Sequence, residues 1–190
     1  MRAFIAAQLP PAIKECLSET QNQLKTSGAD VKWVEKENIH LTLKFLGNID
    51  QDSTPPIKEV LNSTAKEFID FTFRISNIGA FPGLDHPRVI YAGIDEGADK
   101  IKELIISLEN KLLKIGIPKE DKDPVPHITI GRVRSFHNIS SLKKQITGIN
   151  PQQKAIIQKI ALKEIFLFKS ELSSAGPLYE AIEGATLKSR

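Results

Sequence analysis

Two segments, HLTLKFLG from His40 and HITIGRVR from His127, repeat one order of residues: histidine, aliphatic, threonine, aliphatic. They stand 127 − 40 = 87 residues apart. Side chains of a β-strand point alternately to opposite faces, so each segment reads as a half-buried strand. Leu41 and Leu43, like Ile128 and Ile130, then face a core, while His40 with Thr42 and His127 with Thr129 share an open face. With 4 histidines and 9 threonines in 190 residues, a shuffled chain carries only about 0.2 such strings. The repetition is therefore a property of the fold.

The surroundings repeat as well. RAFIAAQ from Arg2 is echoed by RVIYAGI from Arg88, an offset of 88 − 2 = 86 residues. Each string opens a strand–helix–strand unit that closes on His-x-Thr, which predicts an internal duplication. A pseudo-two-fold between the copies would bring the motif strands, residues 40–46 and 127–134, side by side around one cleft. A length of 190 residues suits one domain, 1–190, with two lobes.

Other elements follow from periodicity. Arg2 to Gln8 reads as a buried strand, and Pro10-Pro11 opens a helix with Ile13, Leu17 and Leu24 inward, ending near Ser27-Gly28. Val31 to Val34 predicts a short strand, and Gly47-Asn48 stops the first motif strand. A second helix is expected from about Pro55, capped by Ser53 or Thr54, with Ile57, Val60, Leu61, Ala65 and Phe68 on one face. Strands follow at Phe71 to Ile75 and Arg88 to Ile94, then a helix carrying Ile101, Leu104, Ile105, Leu108 and Leu112. IPKEDKDPVP forms a charged loop before His127. A short helix near Ser140 to Ile146 precedes strands at Ala155 to Ile160, Lys163 to Lys169 and Leu178 to Ala185.

Composition narrows the function classes. A net charge of +3 permits an anionic substrate but lacks the dense basic face that duplex nucleic acid needs. The lone Cys16 forbids an internal disulfide and suits a reducing compartment, and no C-x-x-C string offers a thiolate zinc site. The opening MRAFIAAQLPP is too short an apolar run for a signal peptide, so a cytoplasmic protein is expected, with no membrane partner.

Two imidazoles on one open face can hold opposite protonation states near neutrality, one removing a proton while the other delivers one. Phosphodiester cleavage needs this pair, and threonine hydroxyls beside them can bind non-bridging oxygens where charge grows. The motifs hold no carboxylate or third histidine, so neither a metal nor another cofactor is expected. Arg132 reaches the same cleft if the strand bulges at Gly131, and guanidinium clamps phosphate in bidentate fashion. Lys44 matches His40 and Thr42 in strand parity and is expected on the open face, with Phe45 at its edge as a further substrate contact. Trp33 and Tyr179 are equally suited to packing and to nucleobase contact. His86 and His137 have no threonine partner and read as structural.

These segments, with MRAFIA, FPG…RVIYAGI and GPLYE, resemble the 2H phosphoesterase superfamily over essentially the whole chain. The match is best to its RNA 2′,3′-cyclic phosphodiesterases, also described as the 2′–5′ RNA ligase family. The resemblance implies an α+β bilobal fold with two antiparallel sheets flanking a central cleft and helices outside. It implies metal-independent opening of RNA 2′,3′-cyclic phosphate ends to 2′-phosphates, with reversible 2′–5′ ligation. By motif position, His40 becomes proton donor and His127 proton acceptor, while Thr42, Thr129 and Arg132 bind phosphate. The near-symmetric motifs do not themselves say which histidine is which. A monomer acting on RNA ends is expected. The competing readings are a cyclic phosphodiesterase for a small nucleotide and a non-catalytic module that binds RNA ends.

Overall fold

A computed structural model describes residues 1–149, 159–173 and 176–189. The elements run β1 (Arg2–Gln8), α1 (Pro11–Lys25), β2 (Val31–Trp33), β3 (His40–Asn48), α2 (Thr54–Ala65), β4 (Phe71–Phe81) and β5 (Val89–Ile94). They continue with α3 (Ala98–Lys114), β6 (His127–Val133), α4 (Ile139–Ile149), β7 (Lys159–Leu162), β8 (Glu164–Ser173) and β9 (Gly176–Thr186). A single 3₁₀ turn, Lys36–Asn38, leads into β3 and has no counterpart in the periodicity. Of the expected strand at Ala155 to Ile160, residues 155–158 lie outside the described residues, and Lys159 and Ile160 fall in β7, which runs on to Leu162. Ser53 does stand at the start of α2, but its side chain makes no cap; the Asp50 carboxylate instead accepts from the Ser53 N–H at 2.7 Å.

The architecture is α+β, with strand orders β3-β1-β8-β9 and β2-β6-β5-β4-β7 and antiparallel pairing throughout both sheets. The motif strands β3 and β6 are thus not hydrogen-bonded neighbours. They belong to different sheets and approach each other across the cleft. The duplication survives in the pairing. Gln8 lies opposite His40 and Gly93 opposite His127, so the strands beside the motifs correspond at 93 − 8 = 85 residues. That is one fewer than the echo of the two arginines suggests, because Arg2 and Arg88 do not occupy equivalent register positions.

Each sheet borrows from the other half of the chain. β4 comes from the first half but joins the second sheet, and the C-terminal hairpin β8–β9 completes the first. Helices cross likewise: α1 follows β1 yet packs on β6, and α3 follows β5 yet packs on β3. α2 covers β8 and β9 beside α3, while α4 covers β4 beside α1. The apolar faces of all four helices and the inner faces of both sheets meet in one cluster, from Ile5, Leu17 and Leu41 to Leu104, Ile128 and Leu167.

One buried polar side chain ties α1 to the second motif strand. Gln21 Nε2 donates to the carbonyls of Val34 and Ile130, each at 2.8 Å. A buried carbonyl without a partner costs about 1–3 kcal/mol. The Ile130 carbonyl keeps the Val34 N–H at 3.0 Å, so Gln21→Leu orphans the Val34 carbonyl alone and is expected to lower the unfolding free energy by about 1–3 kcal/mol. Urea denaturation monitored by circular dichroism measures this; a midpoint equal to wild type would mean that water replaces the amide.

Candidate active site

Both motif strands carry the same irregularity. Ala6 pairs with Thr42 and Ile5 with Lys44, which leaves Leu43 as an extra residue in β3. Tyr91 pairs with Thr129 and Ile90 with Gly131, which leaves Ile130 extra in β6. Such a bulge breaks the two-residue alternation and turns the following side chains by one position. Burial follows identically along 40–46 and 127–133: half-buried, buried, half-buried, two buried, exposed, half-buried. His and Thr therefore face the cleft, and the residue five beyond each histidine, Phe45 or Arg132, returns to it.

The bulge corrects one expectation. Lys44 is not on the open face: it is 3% exposed, its ammonium 2.7 Å from Glu109 of α3 on the far side of the sheet. Strand parity alone placed it in the cleft; the extra residue sends it to the helix layer. At the matching position of β6 only glycine fits, since a Cβ on Gly131 would lie 2.8 Å from Val31 and 3.0 Å from Trp33 on the neighbouring β2. Lys44 has room because β3 is a sheet edge.

The cleft is a hollow of about 390 Å³ that brings together His40, Thr42, Phe45, Thr129 and Arg132. His127 is not in its lining; its ring stands two residues before Thr129 on the same strand face, edge-on to Phe81 at 5.0 Å and Tyr91 at 5.5 Å. His40 stacks on Phe4 at 4.9 Å and meets the edge of Tyr179 at 5.5 Å. Both histidines are anchored alike. His40 Nδ1 lies 2.7 Å from the Asn38 carbonyl, and His127 Nδ1 2.7 Å from the Val125 carbonyl. A carbonyl only accepts, so Nδ1 carries the hydrogen in each ring and Nε2 is the atom free to exchange a proton. Thr42 Oγ1 sits 2.9 Å from His40 Nε2.

Burial is the main cause that holds both imidazoles below their ordinary 6.5. The carbonyl hydrogen bonds oppose it, while Lys14 beside His40 and Arg132 beside His127 add to the lowering. Burial also raises the Tyr179 hydroxyl, against the pull of Arg132 and Arg2.

Sequence reasoning missed several lining residues. Lys32 faces the cleft because it pairs with Arg132 across β2–β6, a register no local pattern reveals. Arg2 and Glu35 line it too. Asn38 acts through its main chain, and its side chain also donates to the Pro177 carbonyl at 2.8 Å, tying the β8–β9 hairpin to the His40 corner. His86 and His137 stay outside the cleft lining, His86 against Phe136 and His137 beside Asn138. Among the described residues, no three His, Cys, Asp or Glu side chains group closely enough to hold a metal ion. None of the described helices is long and apolar enough to cross a membrane.

The family model for LigT-like phosphoesterases matches residues 8–91 and 93–179. These stretches start 93 − 8 = 85 residues apart, the separation seen in the strand register. The chain is 36% identical over 183 residues to the RNA 2′,3′-cyclic phosphodiesterase of Methanocaldococcus jannaschii, covering 96% of this chain and 99% of that protein. It is 33% identical to the protein of the same name from Methanothermobacter thermautotrophicus, covering 96% and 97%. Among solved structures, TT0787 of Thermus thermophilus superposes with a TM-score of 0.82 at 25% identity over the full length of both chains. Escherichia coli LigT complexed with 3′-AMP shares the fold at a TM-score of 0.75 and 19% identity, covering 98% and 97%.

Because both imidazoles are held below 6.5, the unfolded chain takes up protons first on acidification. Their contribution is neutral well above pH 6.5 and becomes destabilising as pH falls through that value, levelling off below the folded midpoints. NMR titration of the ring protons is expected to place both His40 and His127 below 6.5. Replacing both with glutamine is expected to flatten the loss of thermal stability in that window.

Proposed function

Because this chain belongs to the LigT-like phosphoesterase family, we propose that it hydrolyses RNA 2′,3′-cyclic phosphate ends to 2′-phosphomonoesters by two-histidine acid–base catalysis. His127 Nε2 takes a proton from water as the water oxygen attacks phosphorus. The bond from phosphorus to the ribose 3′ oxygen breaks, and His40 Nε2 supplies the proton to that oxygen. Thr42 and Thr129 donate to the non-bridging oxygens, and Arg132 clamps the phosphate in the transition state. Phe45 and Tyr179 offer aromatic faces to the terminal base. The same steps with a 5′ hydroxyl in place of water join it to the cyclic-phosphate end as a 2′–5′ linkage, and their reversal, with the two histidines exchanging roles, cleaves that linkage.

The observation that carries this reading is the pair of Nδ1 anchors at 2.7 Å, which leave Nε2 as the proton-exchanging atom of each ring, that of His40 beside the Thr42 hydroxyl. Catalysis of this type needs a defined proton acceptor and a defined donor. Arg132 suits His127 to be the neutral base, and because Lys14 lowers free His40 likewise, it is the bound phosphate that would make His40 the acid. The curated relatives are named for the same reaction. We place the protein in the cytoplasm as a single-domain monomer, in keeping with its one half-buried cysteine.

His40→Ala and His127→Ala are each expected to lower hydrolysis of a cyclic-phosphate-ended RNA by about 10²–10⁴-fold with an unchanged circular dichroism spectrum. Wild-type turnover by either variant would exclude the mechanism. Arg132→Met is expected to raise KM and lower kcat together. EDTA should leave the rate unaltered, and product mapping should find phosphate on the 2′ oxygen. Both free imidazoles titrate below 6.5, so the kcat/KM profile should be bell-shaped with its optimum on the acid side of that value. Bound phosphate favours the imidazolium of His40, so the basic limb of kcat should lie at higher pH than that of kcat/KM.

A further inference from the structure

The mechanism leaves one buried charged group unused. Lys44 and Glu109 form an ion pair of 2.7 Å with side chains only 2% and 8% exposed. Burying two charges is costly, and well-packed apolar residues of similar volume commonly replace such pairs without loss of stability. Its retention is better explained by what else the carboxylate holds. Glu109 Oε1 also accepts the main-chain N–H of Glu120 at 3.0 Å, and Lys44 reaches the Glu120 carboxylate at 3.3 Å. Glu120 lies in the proline-rich loop between α3 and β6. That loop ends at Val125, whose carbonyl orients His127.

The other hydrogen bonds of the loop sit close to its start. Ile117 donates to the Leu112 carbonyl, and the Lys119 ammonium to Asn110. Among the described residues, the next hydrogen bond along the loop after Glu120 is the one from His127 Nδ1 to Val125. Glu109 therefore stands at one junction of two paths. One runs through Lys44 to the bulge that aims Thr42 and Phe45 into the cleft. The other runs through Glu120 to the segment that sets the His127 ring.

We propose that Glu109 is a positioning residue of the active site, holding by the Glu120 N–H the stem of the loop that orients the histidine of the second motif. The proposal rests on the two-histidine reading above. Glu109 touches no substrate; it acts through the main chain of Glu120, with Lys44 balancing its charge. Displacing a catalytic group by about 1 Å can cost about 10²-fold in rate, so a loosened loop stem should appear in kcat.

Two uncharged double variants separate positioning from packing. K44M with E109Q keeps an acceptor for the Glu120 N–H, whereas K44M with E109L removes it. Neither leaves an unpaired charge in the core, so both are expected to fold with thermal midpoints close to each other. The glutamine variant should retain kcat within about threefold of wild type, and the leucine variant should lose about tenfold or more with KM little changed. The NMR titration of His127 should move in the leucine variant while that of His40 holds. Glu120→Pro deletes the donor N–H together with the carboxylate that Lys44 reaches, Glu120→Gln serves as its control by keeping the N–H, and the proline variant alone should repeat the loss of kcat if the leucine variant fails to fold. Equal turnover and equal His127 titrations in the two double variants, or wild-type kcat in Glu120→Pro, would overturn the proposal. The titration needs no substrate. A wild type inactive on cyclic phosphates, with His127 still separating the variants, would sink the two-histidine reading and leave the positioning role standing.

Discussion

The site depends on the extra residue that follows the threonine in each motif strand, Leu43 or Ile130; β3 carries a second one at Leu46. A regular strand would alternate without interruption, placing Lys44 and Gly131 beside the two threonines and turning Phe45 and Arg132 away. The bulges at Leu43 and Ile130 reverse this after the threonine, so each strand presents three cleft residues: histidine, threonine, and the one five places beyond the histidine. The residue turned away then has to suit the layer it enters. In β6 it faces Val31 and Trp33, and only glycine has the space. In β3 it faces α3, and a lysine reaches Glu109.

The framework is pseudo-symmetric, but its lining is not. The first sheet brings aromatic surface: Phe4, Phe168 and Tyr179 gather around His40, with Phe45, 54% exposed, at the opening. The second brings cations, Lys32 and Arg132, which face each other across β2–β6. Equal backbone geometry thus gives unequal surroundings. Each imidazole lies against two rings, Phe4 and Tyr179 or Phe81 and Tyr91, and each has one cation that lowers it, so the difference is the kind of cation, the Lys14 ammonium at His40 and the Arg132 guanidinium at His127.

Much of this was legible in the residues. The alternation around His40 and His127 marks the strands and their open faces, and the helices follow from their aliphatic spacing. The exchange of β4 with the β8–β9 hairpin was not, because it depends on which sheet a strand joins, and Phe71 to Ile75 reads alike in either. Lys44 failed for a definite reason. A bulge is a property of the pairing between two strands, and β3 alone shows only parity. For Arg132, Gly131 raised the same irregularity in advance, since a lone glycine in a strand marks a bulge or a close backbone approach. The anchors of the two rings left no trace at all, because Asn38 and Val125 act through carbonyls that every residue has.

Those carbonyls also bear on how a buried histidine can act as an acid. Burial opposes the imidazolium in both rings, and the Nδ1 hydrogen bond is the interaction that favours it. An anion against Nε2 adds a second favourable partner on the opposite side of the ring. For His40 this would place the cation between a carbonyl and a phosphate, each accepting one of its two hydrogens, with Phe4 and Tyr179 excluding water from the remaining sides. In the proposed reaction the ring is therefore protonated by the substrate's own charge, and it surrenders that proton only when the leaving oxygen becomes a better base than the phosphate. His127, with Arg132 beside it, would stay neutral under the same conditions. In the proposed reaction the direction in which the proton travels would then depend on which ring the phosphate meets, since both rings are lowered by burial and by a nearby cation when free.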